Sequence, residues 1–452
     1  MKQPKQIAVA PALGGCSSSL LTRRRFLTRS VLAGAWAAAA PLAVPASALG
    51  RGGQTPPSER IVMGCIGVGG QGTRGMAGGI WAPPGGFIGQ KEVRVVAVCD
   101  VNRRNLENAR RIVNQRYGNR DCRAYRDFRE LLARPDIDAL LIATGERWHP
   151  LLAIAAARAG KDMYCEKPLS LTIREALAVR EELLRHGVVF QMGTQQRSSA
   201  AFRFACELVR NGRIGRVKEV IVGVGGPPAF RECPLPPEPE PSWLDYDMWL
   251  GPIPWRPYNH AFVAGWMAYR DCSGGEMTNW GAHHFDIAQW GLGMDESGPV
   301  KIVPPDGKEH PVLTYYYADG TKMTRDPERL QRESGHNNGV MFVGEEGKVA
   351  VWRYDLRTWP ESLRRERIKP GEIRLHESDN HHTDFLRAVR SRALPGAHIR
   401  AAARSITVCH LGNIAYELGR PVRWNPAEER FVDDPDAERL FYRPMRSPWR
   451  LA

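Results

Sequence analysis

A glycine-rich turn between two apolar runs constrains the fold of this chain more than any other feature. The apolar run Ile61 to Ile66 enters the turn Gly67 to Gly72, which reads GVGGQG, and a second apolar run, Val93 to Cys99, ends at Asp100. A strand, a turn with this GxGxxG spacing and a following helix place free backbone N–H groups opposite the phosphates of a dinucleotide. The segment therefore predicts the first unit of a doubly wound parallel sheet that binds such a nucleotide.

Several residues of this turn have separate roles in a dinucleotide site. Gly67 permits the tight turn, Gly69 lets the backbone approach the pyrophosphate, and Gly72 lets the following helix pack against the strand. An acid at the tip of the second strand can accept both ribose hydroxyls, so Asp100 favours NAD over NADP. Gly72 lies 28 residues before Asp100, where about 20 is usual, and a loop at Trp81 to Gly86 absorbs the difference. The predicted cofactor contacts of this segment are Gly67, Gly69, Gly70, Gln71, Gly72 and Asp100.

Residues 1–48 have the pattern of a twin-arginine signal peptide. Residues 22–28 read TRRRFLT, a weakly apolar run follows from Val31 to Ala43, and residues 46–48, ASA, offer a cleavage site. A disordered basic leader and a single membrane anchor are the alternatives, although two prolines make the run a poor span. The pattern predicts a periplasmic or otherwise exported protein, carried by the twin-arginine machinery, with no stable membrane span.

The same segment accounts for part of the charge of the chain. The formal net charge is +14, and residues 1–48 contain six basic and no acidic residues. The remaining charges are mixed in sign, without a basic run interleaved with aromatic residues, so nucleic-acid binding is not expected. Twin-arginine export carries folded proteins into a compartment without a free nicotinamide pool. We therefore expect the cofactor to stay bound through many turnovers.

Strand and helix patterns alternate through the predicted first domain, residues 60–194. A strand from Asp138 to Thr144 ends at the ligand side, where parallel strands deliver their contacts. Thr144 is therefore a predicted cofactor contact. His149, shortly after it, either contacts the cofactor or caps the helix Pro150 to Ala159.

A second strand end places a lysine near the expected nicotinamide. The short strand Asp162 to Cys165 runs into Glu166, Lys167 and Pro168, and its end points into the ligand crevice. Lysine before proline is more often an exposed loop residue, but the position after a strand favours the crevice. Glu166 and Lys167 are predicted cofactor contacts, and Lys167 is also a candidate catalytic and substrate-binding residue. After the next strand end, Gln196 and Arg197 are predicted substrate contacts.

The predicted second domain, residues 195–450, is an α+β unit with a large, mostly antiparallel sheet. Strand patterns occur at Val217 to Gly225, Val312 to Ala318, Gly339 to Gly344 and Lys348 to Trp352, and helices at His381 to Arg390 and Ile399 to Leu418. An aromatic-rich segment from Trp243 to Tyr269 either packs a loop-rich core or stacks on sugar faces, and core is favoured for most of its rings. The tail, Asp433 to Trp449, is predicted to be a surface strap.

A predicted helix from Gly274 to about Gly291 contains the second catalytic candidate. Asn279, His283 and Asp286 stand at i, i+4 and i+7 and so share one helix face. An imidazole held beside an amide and a carboxylate can accept a proton near neutral pH. A buried, hydrogen-bonded polar cluster is the alternative. His284 is a further predicted substrate contact, and adjacent histidines on a helix lack metal-ligand spacing, so no metal is expected.

Eight cysteines follow the predicted cleavage site, and none forms a CxxC pair. This distribution is typical of small buried apolar residues. Cys233 and Cys272 lie in loops and are the two that could pair after export.

With these segments identified, the sequence resembles the Gfo/Idh/MocA family of glucose-fructose oxidoreductase, inositol 2-dehydrogenase and related NAD-dependent sugar enzymes. The resemblance covers roughly residues 60 to 450 and rests on the glycine turn, on Glu166-Lys167-Pro168 and on the helix with His283. It implies that Lys167 orients the substrate hydroxyl and that His283 exchanges its proton. Many relatives have aspartate where this chain has Asn279, which cannot ionise. The resemblance also implies a homo-oligomer built through the second sheet.

Three functions are compatible with this resemblance. The first is an exported oxidoreductase that transfers a hydride between a sugar, cyclitol or glycoside hydroxyl carbon and a tightly bound nicotinamide. The second is an NAD-dependent glycosidase or lyase that oxidises its sugar only transiently. The third is a non-catalytic nucleotide-loaded binding protein, which the asparagine at position 279 would favour.

Overall fold

The structure, a computed structural model, describes residues 55–79, 82–228 and 235–451. The predicted signal peptide and Cys233 lie outside these ranges. From Pro57 onward the chain forms one compact unit, which contains two β-sheets.

The first sheet has six parallel strands in the order β3-β2-β1-β4-β5-β6. This arrangement confirms the predicted doubly wound parallel sheet. Alternate residues of a strand face opposite sides, and those of β4 belong to two different core clusters, Leu140 to one and Leu141 to the other. The sheet is therefore covered on both faces, as parallel sheets usually are. Its strands are β1 (Ile61–Ile66), β2 (Val93–Cys99), β3 (Arg123–Tyr125), β4 (Ala139–Ile142), β5 (Asp162–Cys165) and β6 (Phe190–Met192).

Capping residues set the limits of several helices of this half. Asn102 accepts hydrogen bonds from the backbone N–H groups of Arg104 and Asn105 and so fixes the start of the helix that begins at Arg103. Thr172 and Glu175 form a reciprocal capping box at the start of another helix. The helices are α1 (Gly70–Ala77), α2 (Arg103–Tyr117), α3 (Phe128–Leu132), α4 (His149–Arg158) and α5 (Ile173–His186).

The second sheet has nine strands in the order β13-β12-β11-β7-β10-β9-β8-β14-β15. Strands β7 and β10 pair in parallel, and the other neighbours pair antiparallel. The sheet is therefore mixed and mostly antiparallel, as predicted. Its strands are β7 (Val217–Gly223), β8 (Lys301–Val303), β9 (Thr314–Tyr316), β10 (Lys322–Arg325), β11 (Gly339–Gly344), β12 (Lys348–Trp352), β13 (Asp355–Trp359), β14 (Val422–Asn425) and β15 (Arg430–Phe431).

Long buried helices join the two sheets. The remaining helices are α6 (Ala200–Arg210), α7 (Tyr246–Leu250), α8 (His260–Ala264), α9 (Glu276–Asn279), α10 (Gly281–Leu292), α11 (Pro327–Ser334), α12 (His381–Ser391), α13 (Ile399–Leu418) and α14 (Pro435–Arg439). Helix α13 packs against both α10 and α5. One hydrophobic cluster includes Leu140 of β4, Val222 of β7 and Ala403 of α13, so the two sheets share a core that fixes the space between them.

The helix predicted from Gly274 to Gly291 is divided in two. Helix α9 ends at Asn279 and α10 begins at Gly281, with Trp280 between them. The break places Asn279 and His283 on different helices, so their relative position does not follow from simple helical spacing.

The aromatic-rich segment forms a cluster of its own. Tyr246, Tyr258 and Phe262 are buried in it, and Trp249 packs against it half-buried, whereas Trp255 is 61% exposed. Most of these rings therefore belong to this cluster or pack against it, and Trp243, Trp249 and Trp266 also line a cavity. None of the helices within the described ranges is long and apolar enough to cross a bilayer.

Candidate active site

Two adjoining cavities open at the carboxyl ends of the first sheet, where doubly wound folds bind ligands. One has a volume of about 440 Å³ and is lined by the glycine turn, Asp100 and the aromatic-rich segment. The other has a volume of about 450 Å³ and is lined by Lys167 and His283. The two share Gln71, Ala143, Thr144 and Trp266 on their walls. Together the two cavities form one continuous site in which a dinucleotide can lie.

Two positions of the glycine turn can hold only glycine. Gly67 has a φ of +79°, and a Cβ on it would lie 2.6 Å from the carbonyl oxygen of Ala143. A Cβ on Gly72 would lie 1.8 Å from the carbonyl oxygen of Gly67. A Cβ on Gly70 would meet nothing within 4 Å, since this residue faces the open cavity at the start of α1. The geometry leaves backbone N–H groups accessible to a pyrophosphate.

Asp100 is fixed at the tip of β2 by its own neighbours. Its carboxylate accepts backbone N–H groups from Val68 at 2.8 Å and from Asn102 at 2.8 Å. Burial nevertheless raises its pKa to about 6. The carboxylate is therefore ionised at neutral pH and lies on the cavity wall, as a ribose acceptor must.

Glu166 lies where the two cavities meet. Its Oε1 accepts a hydrogen bond from the side-chain amide of Gln71 at 3.0 Å, and Gln71 lines both cavities. Its Oε2 is buried without a partner in the described part of the chain. An unsatisfied buried carboxylate oxygen is costly, so a ligand hydroxyl or amide at this position would supply the missing donor. Together with the glycine turn and Asp100, this oxygen fits a bound dinucleotide.

Lys167 follows the fully buried strand β5 and reaches the second cavity. Its ammonium nitrogen donates a hydrogen bond to the side-chain oxygen of Asn279 at 2.6 Å. Burial lowers its pKa from the ordinary lysine value. The Asn279 amide in turn donates to Glu276 at 3.1 Å, so Lys167 is oriented by a side chain that is itself held.

His149 lines neither cavity and instead contacts the turn that contains Lys167. Its Nδ1 lies 2.6 Å from the carbonyl oxygen of Pro168, and burial lowers its pKa to about 4. The neutral ring therefore donates to that carbonyl and fixes the turn that follows β5. His149 is the first residue of α4, and its side chain does not cap that helix.

His283 lies on the wall of the second cavity, near the start of α10. Its Nε2 is 3.3 Å from the Nη2 of Arg353, and its Nδ1 is buried without a partner among the described residues. Burial, reinforced by the charges of Lys167 and Arg353, holds the imidazole pKa well below its usual range. The ring is neutral, and because guanidinium only donates, Nε2 carries the lone pair and Nδ1 the proton.

Three predicted substrate contacts lie outside the lining of these two cavities. Arg197 is 2% exposed and donates to Asp286 at 2.7 and 2.8 Å and to Asp295 at 2.7 and 3.0 Å. His284 Nδ1 bonds the carbonyl oxygen of Gly223 at 2.9 Å. The third, Gln196, is also buried. Asp286 therefore pairs with Arg197, and the expected pairing of Asp286 with His283 is wrong.

Two residues of the second cavity, Arg353 and Glu146, were not among the predicted site residues. Arg353 comes from the turn between β12 and β13, and Glu146 from the segment after β4. Glu146 accepts the backbone N–H of Gly274 and the hydroxyl of Thr278, both at 3.2 Å, and burial raises its pKa to about 7. Its position beside His149 could have indicated its role. Arg353 carries no local sequence signal, because only the pairing of distant strands brings it to the cavity.

The described ranges contain no candidate metal site. No group of three or more His, Cys, Asp or Glu side chains is arranged to hold a metal ion there. Seven cysteines of the described ranges are buried, and the predicted pairing of Cys272 with Cys233 involves a residue outside those ranges.

Comparison with known proteins identifies both halves of the chain. Residues 62–194 match the model of an oxidoreductase family, NAD-binding Rossmann fold, and residues 231–451 match the C-terminal alpha/beta domain of the same Gfo/Idh/MocA family. Together the two matches cover most of the chain. The first sheet therefore belongs to an NAD-binding Rossmann domain.

Individual relatives include dehydrogenases and one hydratase. The chain is 30% identical to myo-inositol 2-dehydrogenase of Thermotoga maritima over 50% of this chain and 60% of the relative. It is 31% identical to 2,7-anhydro-N-acetylneuraminate hydratase of Mediterraneibacter gnavus over 28% of this chain and 32% of the relative. The chain spans between 32% and 60% of the length of the curated relatives it matches first.

A solved structure has the same fold over most of its length. Scyllo-inositol dehydrogenase of Lactobacillus casei, with bound NAD(H) and scyllo-inositol, superposes with a TM-score of 0.55 at 16% identity, over 80% of this chain and 99% of that one. The two family models and the shared fold agree with one another, and the chain belongs to the Gfo/Idh/MocA family of NAD-binding oxidoreductases.

Proposed function

We propose that this protein is an exported dehydrogenase that transfers a hydride between a hydroxyl carbon of a sugar, cyclitol or glycoside and a tightly bound NAD. The observation that carries this proposal is the placement of Lys167 and His283 on the wall of one cavity that adjoins the nucleotide cavity. An ammonium group can stabilise the charge that develops on the hydroxyl oxygen during oxidation, and a neutral imidazole can accept the hydroxyl proton.

Each side chain has one task in this reaction. Bound NAD⁺ supplies the hydride acceptor. Lys167 donates a hydrogen bond to the substrate hydroxyl oxygen and stabilises the negative charge that develops on it. His283, neutral because of its low pKa, takes the hydroxyl proton. Asn279 cannot relay that proton, and it holds Lys167 in position through the 2.6 Å hydrogen bond.

A steady-state assay with a panel of sugars and cyclitols tests this proposal. Candidate substrates are added with NAD⁺, and both the nicotinamide absorbance and the ketone product are measured. We expect net reduction for at least one substrate class and a loss of about a hundredfold or more in Lys167→Ala and His283→Ala. Full turnover in both variants would show that the chemistry lies elsewhere.

We further propose that residues 1–48 direct export by the twin-arginine machinery and that the mature protein is periplasmic or otherwise exported. The motif in residues 22–28 supports this proposal. Cell fractionation of the full chain tests it against a variant with Arg23 and Arg24 replaced by lysine. Retention of the variant inside the cytoplasm, with the original chain outside it, is the expected result, and identical distributions would refute it.

The protein is also proposed to act as a homo-oligomer built through the second sheet. The proposal is supported by the resemblance to sugar dehydrogenases of this family. Light scattering after size-exclusion chromatography tests it directly, and a mass equal to that of one chain would contradict it.

A transient-oxidation reaction is the second candidate function. The likeness to 2,7-anhydro-N-acetylneuraminate hydratase supports it, because the same cavity could oxidise a sugar carbon, permit elimination beside it and return the hydride. Release of an aglycone or a dehydrated sugar without net nicotinamide reduction would favour this second function over simple dehydrogenation.

A further inference from the structure

Arg147 is a buried cation on the wall of the nucleotide cavity, the one lined by the glycine turn and Asp100. The residue is 3% exposed. Its Nε and Nη2 donate to the backbone carbonyl oxygen of Trp249 at 3.1 and 2.7 Å. Its Nη1 is buried without a partner in the described part of the chain, so one donor nitrogen of this guanidinium is unused by the protein.

No carboxylate within the described ranges forms an ion pair with this guanidinium. Glu146, its neighbour in the chain, accepts hydrogen bonds from Gly274 and Thr278 instead. Burial lowers the pKa of Arg147 from the ordinary arginine value, although the side chain stays charged at neutral pH. A buried charge without an ionic partner is costly. An anionic ligand in the adjoining cavity would therefore stabilise Arg147.

The guanidinium lies near the place where the two cavities meet. A Cβ on Gly145 would lie 2.6 Å from its Nη1, and its Cζ is 5.6 Å from the centre of the Trp266 ring. Trp266 lines both cavities, and so does Thr144, the residue before Gly145. If each half of a dinucleotide occupies one cavity, the diphosphate that joins the halves lies at this junction. The unused donor is therefore close to the expected position of the diphosphate.

We propose that Arg147 binds the diphosphate of NAD and that, through Trp249, it holds the aromatic-rich segment against the bound cofactor. The inference rests on the proposed function and names the residue that retains the cofactor. The diphosphate supplies the anionic partner of the guanidinium, and charge-assisted hydrogen bonds are roughly twice as strong as neutral ones. The same guanidinium lies 4.1 Å from the centre of the Trp249 ring. Cofactor and segment therefore stabilise one another, which slows the release of NAD.

Equilibrium competition on the full-length, NAD-loaded protein tests the inference. Adenosine and ADP each compete with labelled NAD, and the ratio of their affinities measures the contribution of the diphosphate. ADP should bind more tightly than adenosine to the original chain. Arg147→Gln should lower this ratio by about tenfold to a hundredfold, the range expected for one hydrogen bond to a charged group, and should leave the affinity for adenosine unchanged.

Arg126 provides the matched control. It lines the same cavity, but its side chain is 54% exposed and lies 3.7 Å from Asp245. Arg126→Gln removes the same charge and should change the ratio by less than about fivefold, as expected for an exposed, paired cation. Arg147→Lys, which keeps the charge but not the fork of donors that binds Trp249, should show an intermediate ratio.

Limited proteolysis tests the connection between Arg147 and the aromatic-rich segment. NAD should slow cleavage within residues 243–269 of the original chain, and it should protect the same residues much less in Arg147→Gln. Cleavage is measured at a concentration of NAD that saturates both proteins, so a difference reports the segment and not the occupancy of the cavity.

Three outcomes would overturn the inference. These are an unchanged ratio of ADP to adenosine affinity in Arg147→Gln, an equal loss of affinity for both compounds, and equal protection of the segment by NAD in both proteins. Because binding is measured apart from turnover, failure of the dehydrogenase proposal is distinguishable. In that case binding of ADP that depends on Arg147 would persist without any nicotinamide reduction by sugars.

Discussion

The ammonium nitrogen of Lys167 lies 2.6 Å from the side-chain oxygen of Asn279, a contact that joins the end of β5 to the end of α9. An amide at this position accepts the lysine hydrogen bond without adding a negative charge. Lys167 therefore keeps the lowered pKa that burial gives it, which a carboxylate at position 279 would raise.

Replacement of Asn279 tests this relationship in two ways. Asn279→Leu removes the acceptor and should lower kcat by about tenfold to a hundredfold, as expected for the loss of a hydrogen bond to a charged group. Asn279→Asp keeps the acceptor and raises the pKa of Lys167. The alkaline limb of its pH–rate profile should therefore move to higher pH. An unchanged profile in Asn279→Asp would show that Lys167 does not set that limb.

The affinity for NAD should depend on pH through Asp100. Its pKa is about 6, so the carboxyl group becomes protonated as the pH falls and loses acceptor capacity for ribose hydroxyls. At about pH 5 roughly one tenth of it is ionised, and affinity should be about tenfold weaker than at about pH 8. Asp100→Asn should bind NAD more weakly overall, without a change over this range. Equilibrium titration at both pH values measures the effect, and a flat response in the original chain would contradict it.

The same carboxyl group should affect unliganded stability in the opposite direction. Burial raises its pKa from 3.8 to about 6 in the folded state, so the protonated form favours folding. Its contribution to stability is therefore present below about pH 4 and is lost as the pH rises through about 6. Measuring binding and unfolding separately distinguishes the two effects.

Arg197 should be needed for stability. Its guanidinium is buried between Asp286 and Asp295, and removing one member of a buried ion pair costs about 3–5 kcal/mol. Arg197→Met should lower the free energy of unfolding by about that amount in denaturant titration. Arg110→Ala, which breaks the exposed pair with Glu107, should cost less than about 1 kcal/mol. A raised KM in Arg197→Met at unchanged stability would instead support the predicted substrate contact.

The aromatic-rich segment should slow release of the cofactor. Trp266 lines both cavities, so a bound dinucleotide would be partly covered by its ring. Trp266→Ala should raise the dissociation rate of NAD by about tenfold or more, as expected for losing one to two kcal/mol of aromatic contact. Trp255, which is 61% exposed and absent from the lining of both cavities, provides the control. Equal release rates in Trp266→Ala and Trp255→Ala would contradict this role.

Much of the fold was predictable because its signals are local. The glycine turn, the apolar runs before and after it, and the capping residues of the helices act over a few neighbours. Helix Ile173–His186, for example, begins at the capping box of Thr172 and Glu175 and ends at Gly187. The strand predicted from Asp138 to Thr144 is shorter, Ala139–Ile142, because its last residues leave the sheet to line the cavities.

The candidate site was predictable only in part, because some of its contacts join distant segments. Lys167 follows a strand and could be placed from topology alone. Arg353 contacts His283 because β12 and β13 pair, and Arg197 contacts Asp286 because helices pack together. Local sequence spacing indicates neither contact. The break at Trp280 likewise changed the face that Asn279 and His283 were expected to share.

The most direct test of the account is a single-turnover measurement on the protein as purified, without added cofactor. When the original chain is mixed with a sugar substrate, we predict a rise in nicotinamide absorbance equivalent to about one NADH per chain. Lys167→Met and His283→Asn should show no rapid rise, although both should release NAD when denatured. A rise of undiminished rate in both variants, or no nicotinamide released from the original chain, would contradict the account.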